Sequence, residues 1–373
     1  MKRTICAVMT GLLLVGCASP RTATVYVDPA DLSREEHKQK LYAIEKNLKQ
    51  WDRVNRLGIP LLVSSVDFCD DDERTAYYGF SVWNEKFGAD DQYQPLILQE
   101  YGLSEVYQIR YMVEGSPADA AGLKAGDRIL EVGGQEIWSG QSTKDKRVSL
   151  EQAFRTVYEA REDYEIRFER DGHEDEVTLA FSEQCSYGLI YKKNDSEINA
   201  YADGENVHIT AGINRYLQED NKLSLVIAHE IAHNAMGHLD AKRANAAAGQ
   251  VGGFIFDIAL AVVGVNTGGA FSDLGGAIGA TTYSQEFESE ADYVGMYIMA
   301  RAKLPYHGVE ELWRDFAVVN DKNITHGTSH PSSAERYLKI AAYASEIDEK
   351  ILKGEPLEPN YKEQQETGTP PKE

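Results

Sequence analysis

Two histidines and a glutamate stand as H-E-x-x-H (His229, Glu230, His233) in the apolar stretch Leu223 to His238, LSLVIAHEIAHNAMGH. On a helix, i and i+4 lie one turn apart on the same face, so both imidazoles can reach one ion. Neutral histidine nitrogen suits Zn2+, and three protein ligands leave a fourth position for water. Glu230, turned about 100° from His229, could then take a proton from that water. The same five residues also fit a buried helix with two hydrogen-bonded core histidines. A metal site needs a third ligand from another part of the chain.

One candidate lies downstream. Tyr283 to Asp292 precedes an apolar helix that ends at Leu304-Pro305, and it places Glu288 and Asp292 at i and i+4. A carboxylate there could complete a two-His, one-Glu site, and the aspartate could orient a histidine ring from behind. Taken alone the pattern is weak, because acidic helix faces are usually just solvated. Upstream of the H-E-x-x-H helix, Asn199-Ala200-Tyr201-Ala202, a turn at Gly204 and Val207 to Thr210 read as a hairpin. An edge strand of this kind can hold substrate in extended form, and His208 reads as a strand residue. His238, His307 and His326 read as structural. Between the two metal-bearing stretches, Ala244 to Thr282 is rich in Gly and Ala. Its apolar core Gly252 to Val265 is interrupted by Asp257 and is too short to span a bilayer. A covering flap or buried helix over the site is expected there, with a membrane-dipping hairpin as the alternative.

The remaining chain must supply the scaffold. Its 373 residues suggest two domains with a tail, and 42% hydrophobic residues suffice for packed cores. A formal net charge of -22 argues against nucleic acid as a partner, since phosphate binding needs basic patches. Lys2 and Arg3 followed by the apolar run Ile5 to Val15 read as an export signal. Ala18 to Asp31 reads as a tether. Ser33 and Glu36 form a capping box for an amphipathic helix carrying Leu41, Ile44, Leu48, Trp51, Val54 and Leu57, which Gly58 and Pro60 should stop.

From Tyr77 to Ser182 short strands alternate with two short helices. Ser116-Pro117 and Ser149 cap the helices, Gly133-Gly134 and Asp171-Gly172 turn the chain, and Tyr164, Ile166 and Phe168 alternate against Val177, Leu179 and Phe181. Gly115 to Ile137, GSPADAAGLKAGDRILEVGGQEI, resembles the PDZ domains of bacterial envelope proteases. That resemblance implies capture of peptide termini by strand addition, with Tyr78-Gly79-Phe80 as the candidate carboxylate loop and Asp90 to Leu103 as an insertion. Cys69 and Cys185 flank the module. One domain inserted in another needs its incoming and outgoing strands close together, so these two cysteines are expected to form a disulfide.

Leu14-Val15-Gly16-Cys17 resembles the lipobox of bacterial lipoproteins, which implies lipid modification of Cys17 and, with Ala18 after it, sorting to the outer membrane. H-E-x-x-H followed by E-x-x-x-D, with EADYVG around it and Asn199-Ala200-Tyr201-Ala202 upstream, resembles the gluzincin metallopeptidases of the HtpX and CAAX prenyl protease family. By that resemblance Glu288 is the third ligand of one Zn2+ per chain, and Asp292 has the supporting role. Ser329 to Arg336 is similar to the H-P-x-x-x-x-R element of the soluble periplasmic branch. His330 would then approach the metal or the developing oxyanion, and Arg336 would support the site.

The expected architecture is α+β. A mainly helical zincin domain (33–76 and 183–353) is interrupted by a β-rich PDZ domain (77–182), with a signal (1–16), a tether (17–32) and a disordered tail (354–373). The expected function is a lipid-anchored periplasmic zinc endopeptidase acting on unfolded or misassembled envelope proteins. A chaperone or assembly adaptor with a latent zinc site is the alternative. A peptidase for membrane-embedded substrates is disfavoured, since no spanning helix is legible.

Overall fold

The computed structural model describes residues 22, 24–89, 91–138, 148–247, 285–319 and 333–361. The chain divides into two compact units, Met1–Ala43 and Ile44–Glu373, and the candidate site lies in the second. The architecture is α+β.

The first helix, α1 (Pro29–Ser64), departs from the expected boundaries at both ends. Asp28 accepts from the Ala30 N–H at 2.8 Å and Pro29 opens the helix, so Ser33 lies inside it rather than capping it. Gly58 and Pro60 do not stop it either. Val54, Leu57, Leu61 and Leu62 are buried in the core, and that packing overrides the two local breakers. Gly58 serves a close approach, because a Cβ there would lie 2.6 Å from Leu189 Cδ1.

The β-rich module follows as β1 (Arg74–Ala76), β2 (Phe80–Trp83), α2 (Gln94–Tyr101), β3 (Tyr107–Met112), α3 (Pro117–Ala120), β4 (Arg128–Val132), β5 (Gln135–Glu136), α4 (Leu150–Ala160), β6 (Tyr164–Arg170), β7 (His173–Leu179) and β8 (Glu183–Cys185). Ser116 and Ser149 cap α3 and α4 by accepting from the Asp119 and Gln152 N–H groups. Asp171 and Gly172, at φ 52° and 78°, make the tight β6–β7 turn. The main sheet runs β2-β3-β4-β6-β7 with β5 on β4. It encloses a separate core of Phe80, Ile109, Ile129, Phe154, Ile166 and Phe168. The expected insertion folds as α2. β1 and β8 pair antiparallel as the stem of the module, with Arg74 opposite Cys185. At its base Cys69 and Cys185 form a disulfide, their Cα atoms 6.1 Å apart.

The second core gathers β9 (Gly188–Lys192), β10 (Ala200–Ala202), β11 (Asn206–Thr210), α5 (Ala211–Tyr216), α6 (Asp220–Ala235), α7 (His238–Ala247), α8 (Gln285–Arg301), α9 (Leu312–Val319) and α10 (Ser333–Lys353). The small sheet runs β10-β11-β9, antiparallel then parallel. α1 grips the start of α6 through Arg53, which donates to Asp220 at 2.7 Å, to the Asn214 carbonyl at 2.6 Å and to the Leu217 carbonyl at 2.7 Å. The helix expected to run from Leu223 to His238 ends at Ala235. Gly237 turns the chain at φ 62°, a left-handed conformation that favours glycine, and His238 begins α7. Among the described residues, no helix is long and apolar enough to cross a membrane.

Candidate metal centre

α6 and α8 pack side by side, and Gly295 is the reason they can approach closely. A Cβ on Gly295 would sit 3.2 Å from the His229 backbone nitrogen, so α8 lies nearly against the backbone of α6 at this level. Two turns before Gly295, Glu288 faces the histidine rings. His229 Nε2 and His233 Nε2 are 3.0 Å apart. Glu288 Oε2 lies 3.6 Å from the first and Oε1 lies 3.5 Å from the second. All three residues are buried. Of the alternatives the sequence leaves open, the solvated acidic face is therefore ruled out for Glu288.

The donor set fits Zn2+. A tetrahedral ion with bonds of about 2.0–2.1 Å has ligand-to-ligand edges of about 3.3 Å, close to the three separations here. The proton positions point the same way. Asp292 Oδ1 is 2.9 Å from His229 Nδ1, and a carboxylate there accepts the Nδ1–H and leaves the Nε2 lone pair facing inward. Two inward nitrogens and a carboxylate converging on one buried point repel each other until a cation joins them.

Arg336, from α10, holds the rear of the site. It donates to Asp292 Oδ2 through Nε at 2.7 Å and to Oδ1 through Nη2 at 2.6 Å, and it reaches Glu288 Oε2 through Nη1 at 3.3 Å. Its guanidinium lies 3.7 Å above the Trp313 ring on α9. Burial alone would raise the Asp292 pKa. The Arg336 charge and the His229 hydrogen bond outweigh it and hold the carboxyl below its usual range. Burial would likewise lower the Arg336 pKa, and Asp292 reverses that. Glu230, next to His229 on α6, is buried as well.

Burial, with His229 beside it, pushes His233 down to about 3, so this ring is neutral in the fold. The unfolded residue titrates at about 6.5. Between those values the unfolded chain binds the extra proton, and stability falls with falling pH. Chelator-treated protein should therefore lose thermal stability as the pH drops through about 6.5. The loss is measured as the difference in melting temperature between the parent and His233→Gln, which should narrow toward acid.

Elsewhere, β10 forms an edge of its sheet, with Asn199 buried just before it, Ala200 and Ala202 buried and Tyr201 between them. His208 is a strand residue, as expected. It pairs with Asp203 at 2.6 Å, and Tyr201 stacks on its ring. Three contributions to the site were not legible: Gly295 as the close-packing point, Trp313 beneath Arg336, and the hydrogen bond between His233 and His238. Only Gly295 left a signal, as the small residue of EADYVG on an otherwise large apolar face. His330, His326, Cys17 and Gly252–Val265 lie outside the described residues, as does the tail beyond residue 361.

Comparison with known proteins agrees with this geometry. Residues 167–344 match peptidase family M48, and residues 108–148 match the PDZ domain. The first match begins inside β6, a strand that in the structure belongs to the PDZ-like sheet. The mitochondrial metalloendopeptidase OMA1 of Schizosaccharomyces pombe is 29% identical over 161 residues, 42% of this chain and 46% of that protein. The β-barrel assembly-enhancing protease of Escherichia coli O157:H7 is 33% identical over 119 residues, 29% of this chain and 24% of that protein. The chain thus spans less than half the length of either relative. Among solved structures, the HtrA3 PDZ domain bound to a phage-derived ligand aligns at 14% identity with a TM-score of 0.21, over 30% of this chain and 88% of that one. The buried His-His-Glu cluster suited to zinc lies inside residues 167–344, the stretch that is similar to peptidase family M48, and the PDZ domain match precedes it in the chain.

Proposed function

We propose that the chain is a zinc metalloendopeptidase of the bacterial envelope, anchored by lipid at Cys17 to the outer membrane and facing the periplasm. Its substrates would be unfolded or misassembled envelope proteins. The observation that carries the catalytic part is the convergence of His229, His233 and Glu288 on one buried point beside Glu230. Zn2+ in that cluster supplies a Lewis acid for the scissile carbonyl and lowers the pKa of water toward about 7.

The chain's own residues do the rest. The Glu230 carboxylate takes a proton from the attacking water and passes it to the departing amine nitrogen. Asp292, fixed by Arg336, keeps His229 in its Nδ1–H form and the ring in place. Among the described residues β10 is an outer strand of its sheet, an edge on which an extended polypeptide pairs backbone to backbone, which suits unfolded chains of any sequence. By resemblance, His330 steadies the oxyanion. At the PDZ module, β2 is likewise an edge strand, and Gly79 at φ 89° precedes it as a carboxylate loop would. A peptide terminus is the expected ligand there. The relative whose name ties it to β-barrel assembly supports envelope quality control as the setting.

Incubating the zinc-loaded protein with a reduced, unfolded polypeptide should yield internal cleavage. A chelator should abolish it, and added zinc should restore it. Binding of the polypeptide without cleavage under any of these conditions would favour the adaptor alternative.

A further inference from the structure

We infer that His238 and Glu290 form a relay that fixes the protonation form and the orientation of His233. They would be positioning residues for the metal site, matching what Asp292 and Arg336 do for His229. The inference deepens the metallopeptidase reading and rests on it for its consequence, though not for its geometry.

Glu290 Oε2 lies 3.0 Å from His238 Nε2, and His238 Nδ1 lies 2.9 Å from His233 Nδ1. A carboxylate can only accept, so His238 carries its proton on Nε2 and leaves Nδ1 as a lone pair. The 2.9 Å contact then has one solution: the His233 Nδ1–H donates, and His233 Nε2 turns its lone pair toward His229 and Glu288. With the protons reversed, His233 would present an N–H to the cluster and could not bind a metal through that atom.

Both relay residues are positioned for this. His238 is buried and its ring stacks on Phe287 at 4.6 Å, which fixes the ring plane. Glu290 follows Glu288 by two residues on α8, so the helix that brings the candidate ligand also brings the end of the relay. On a continuous α6, His238 would be turned about 140° away from His233. The left-handed turn at Gly237 brings it back. The two rings differ in their support, since His229 is backed directly by a buried carboxylate and His233 through the His238 ring to a half-exposed one.

The test has two arms. In the metal-free full chain with 15N-labelled histidine, two-bond 1H–15N correlation at about pH 8 should show His233 as the Nδ1–H form and His238 as the Nε2–H form. His238→Phe keeps the stack on Phe287 but removes the acceptor. It should weaken zinc binding about 10–100-fold, read by competition with a chromophoric chelator. His238→Asn restores an acceptor near the Nδ1 position and should recover most of that loss, and Glu290→Gln should have a smaller effect than His238→Phe. Melting of the metal-free variants checks that each folds. An Nε2–H form of His233, or parent-like zinc affinity in folded His238→Phe, would overturn the relay. The correlation spectrum needs no metal, so it decides the relay even if the parent chain took up no zinc, which would instead defeat the metallopeptidase reading.

Discussion

Glu230→Gln should lower peptide-bond hydrolysis by about 10²–10⁴-fold, the usual contribution of a general base, while leaving zinc content at one ion per chain. The amide has the shape of the carboxylate but no basic oxygen. Glu230 is also outside the set of three residues whose ligand atoms converge, so the ion loses nothing when it is replaced. Activity on an unfolded polypeptide and metal stoichiometry, measured on the same preparation, check both halves. Unchanged cleavage would remove Glu230 from the mechanism. Loss of the metal along with the activity would mean that Glu230 is a ligand.

Arg336→Met should cost about 3–5 kcal/mol of stability, the range for removing one partner of a buried ion pair. The guanidinium is the cation lying against both Asp292 and Glu288, and its removal leaves two buried carboxylates facing each other's field. The stack on Trp313 is lost as well. Asp292→Asn in the same chain should recover part of the stability, because it removes one of the two buried negative charges and leaves that of Glu288. Zinc affinity should stay about 10–100-fold down in the double variant, since an amide oxygen holds the His229 Nδ1–H less strongly than a carboxylate. Urea titration of the metal-free proteins reads the first effect, and chelator competition reads the second. Equal recovery of both would show that Asp292 only balances Arg336 and does nothing for His229.

The residues at the centre were readable because their spacing is set by helix geometry. H-E-x-x-H fixes two rings on one face whatever surrounds it, and E-x-x-x-D does the same for Glu288 and Asp292. Periodicity alone left Glu288 between a ligand and a solvated face, and only packing decided it. The fact that decided it, the near-contact of α8 with the backbone of α6 at Gly295, depends on two segments far apart in sequence. The PDZ-like module was legible in detail because its turns and caps are local: Ser116, Ser149 and Asp171-Gly172 each act within a few residues.

Boundaries governed by tertiary packing differ from those that local signals predict. α1 runs through Gly58 and Pro60 because the core on one side of it outweighs two poor helix formers. The α6 helix stops short of His238 because Gly237 turns left-handed. An unbroken helix would carry no contact between His238 and His233, so that contact and the one from His238 to Glu290 depend on the turn.

One ion should be held jointly by α6 and α8. Diffraction recorded on either side of the zinc absorption edge, from crystals of the zinc-loaded chain, tests it most directly. A single strong anomalous peak is expected about 2.0–2.2 Å from His229 Nε2, His233 Nε2 and a Glu288 carboxylate oxygen. A peak elsewhere in the molecule, or a Glu288 carboxylate turned away from an ion bound only by the two rings, would contradict it.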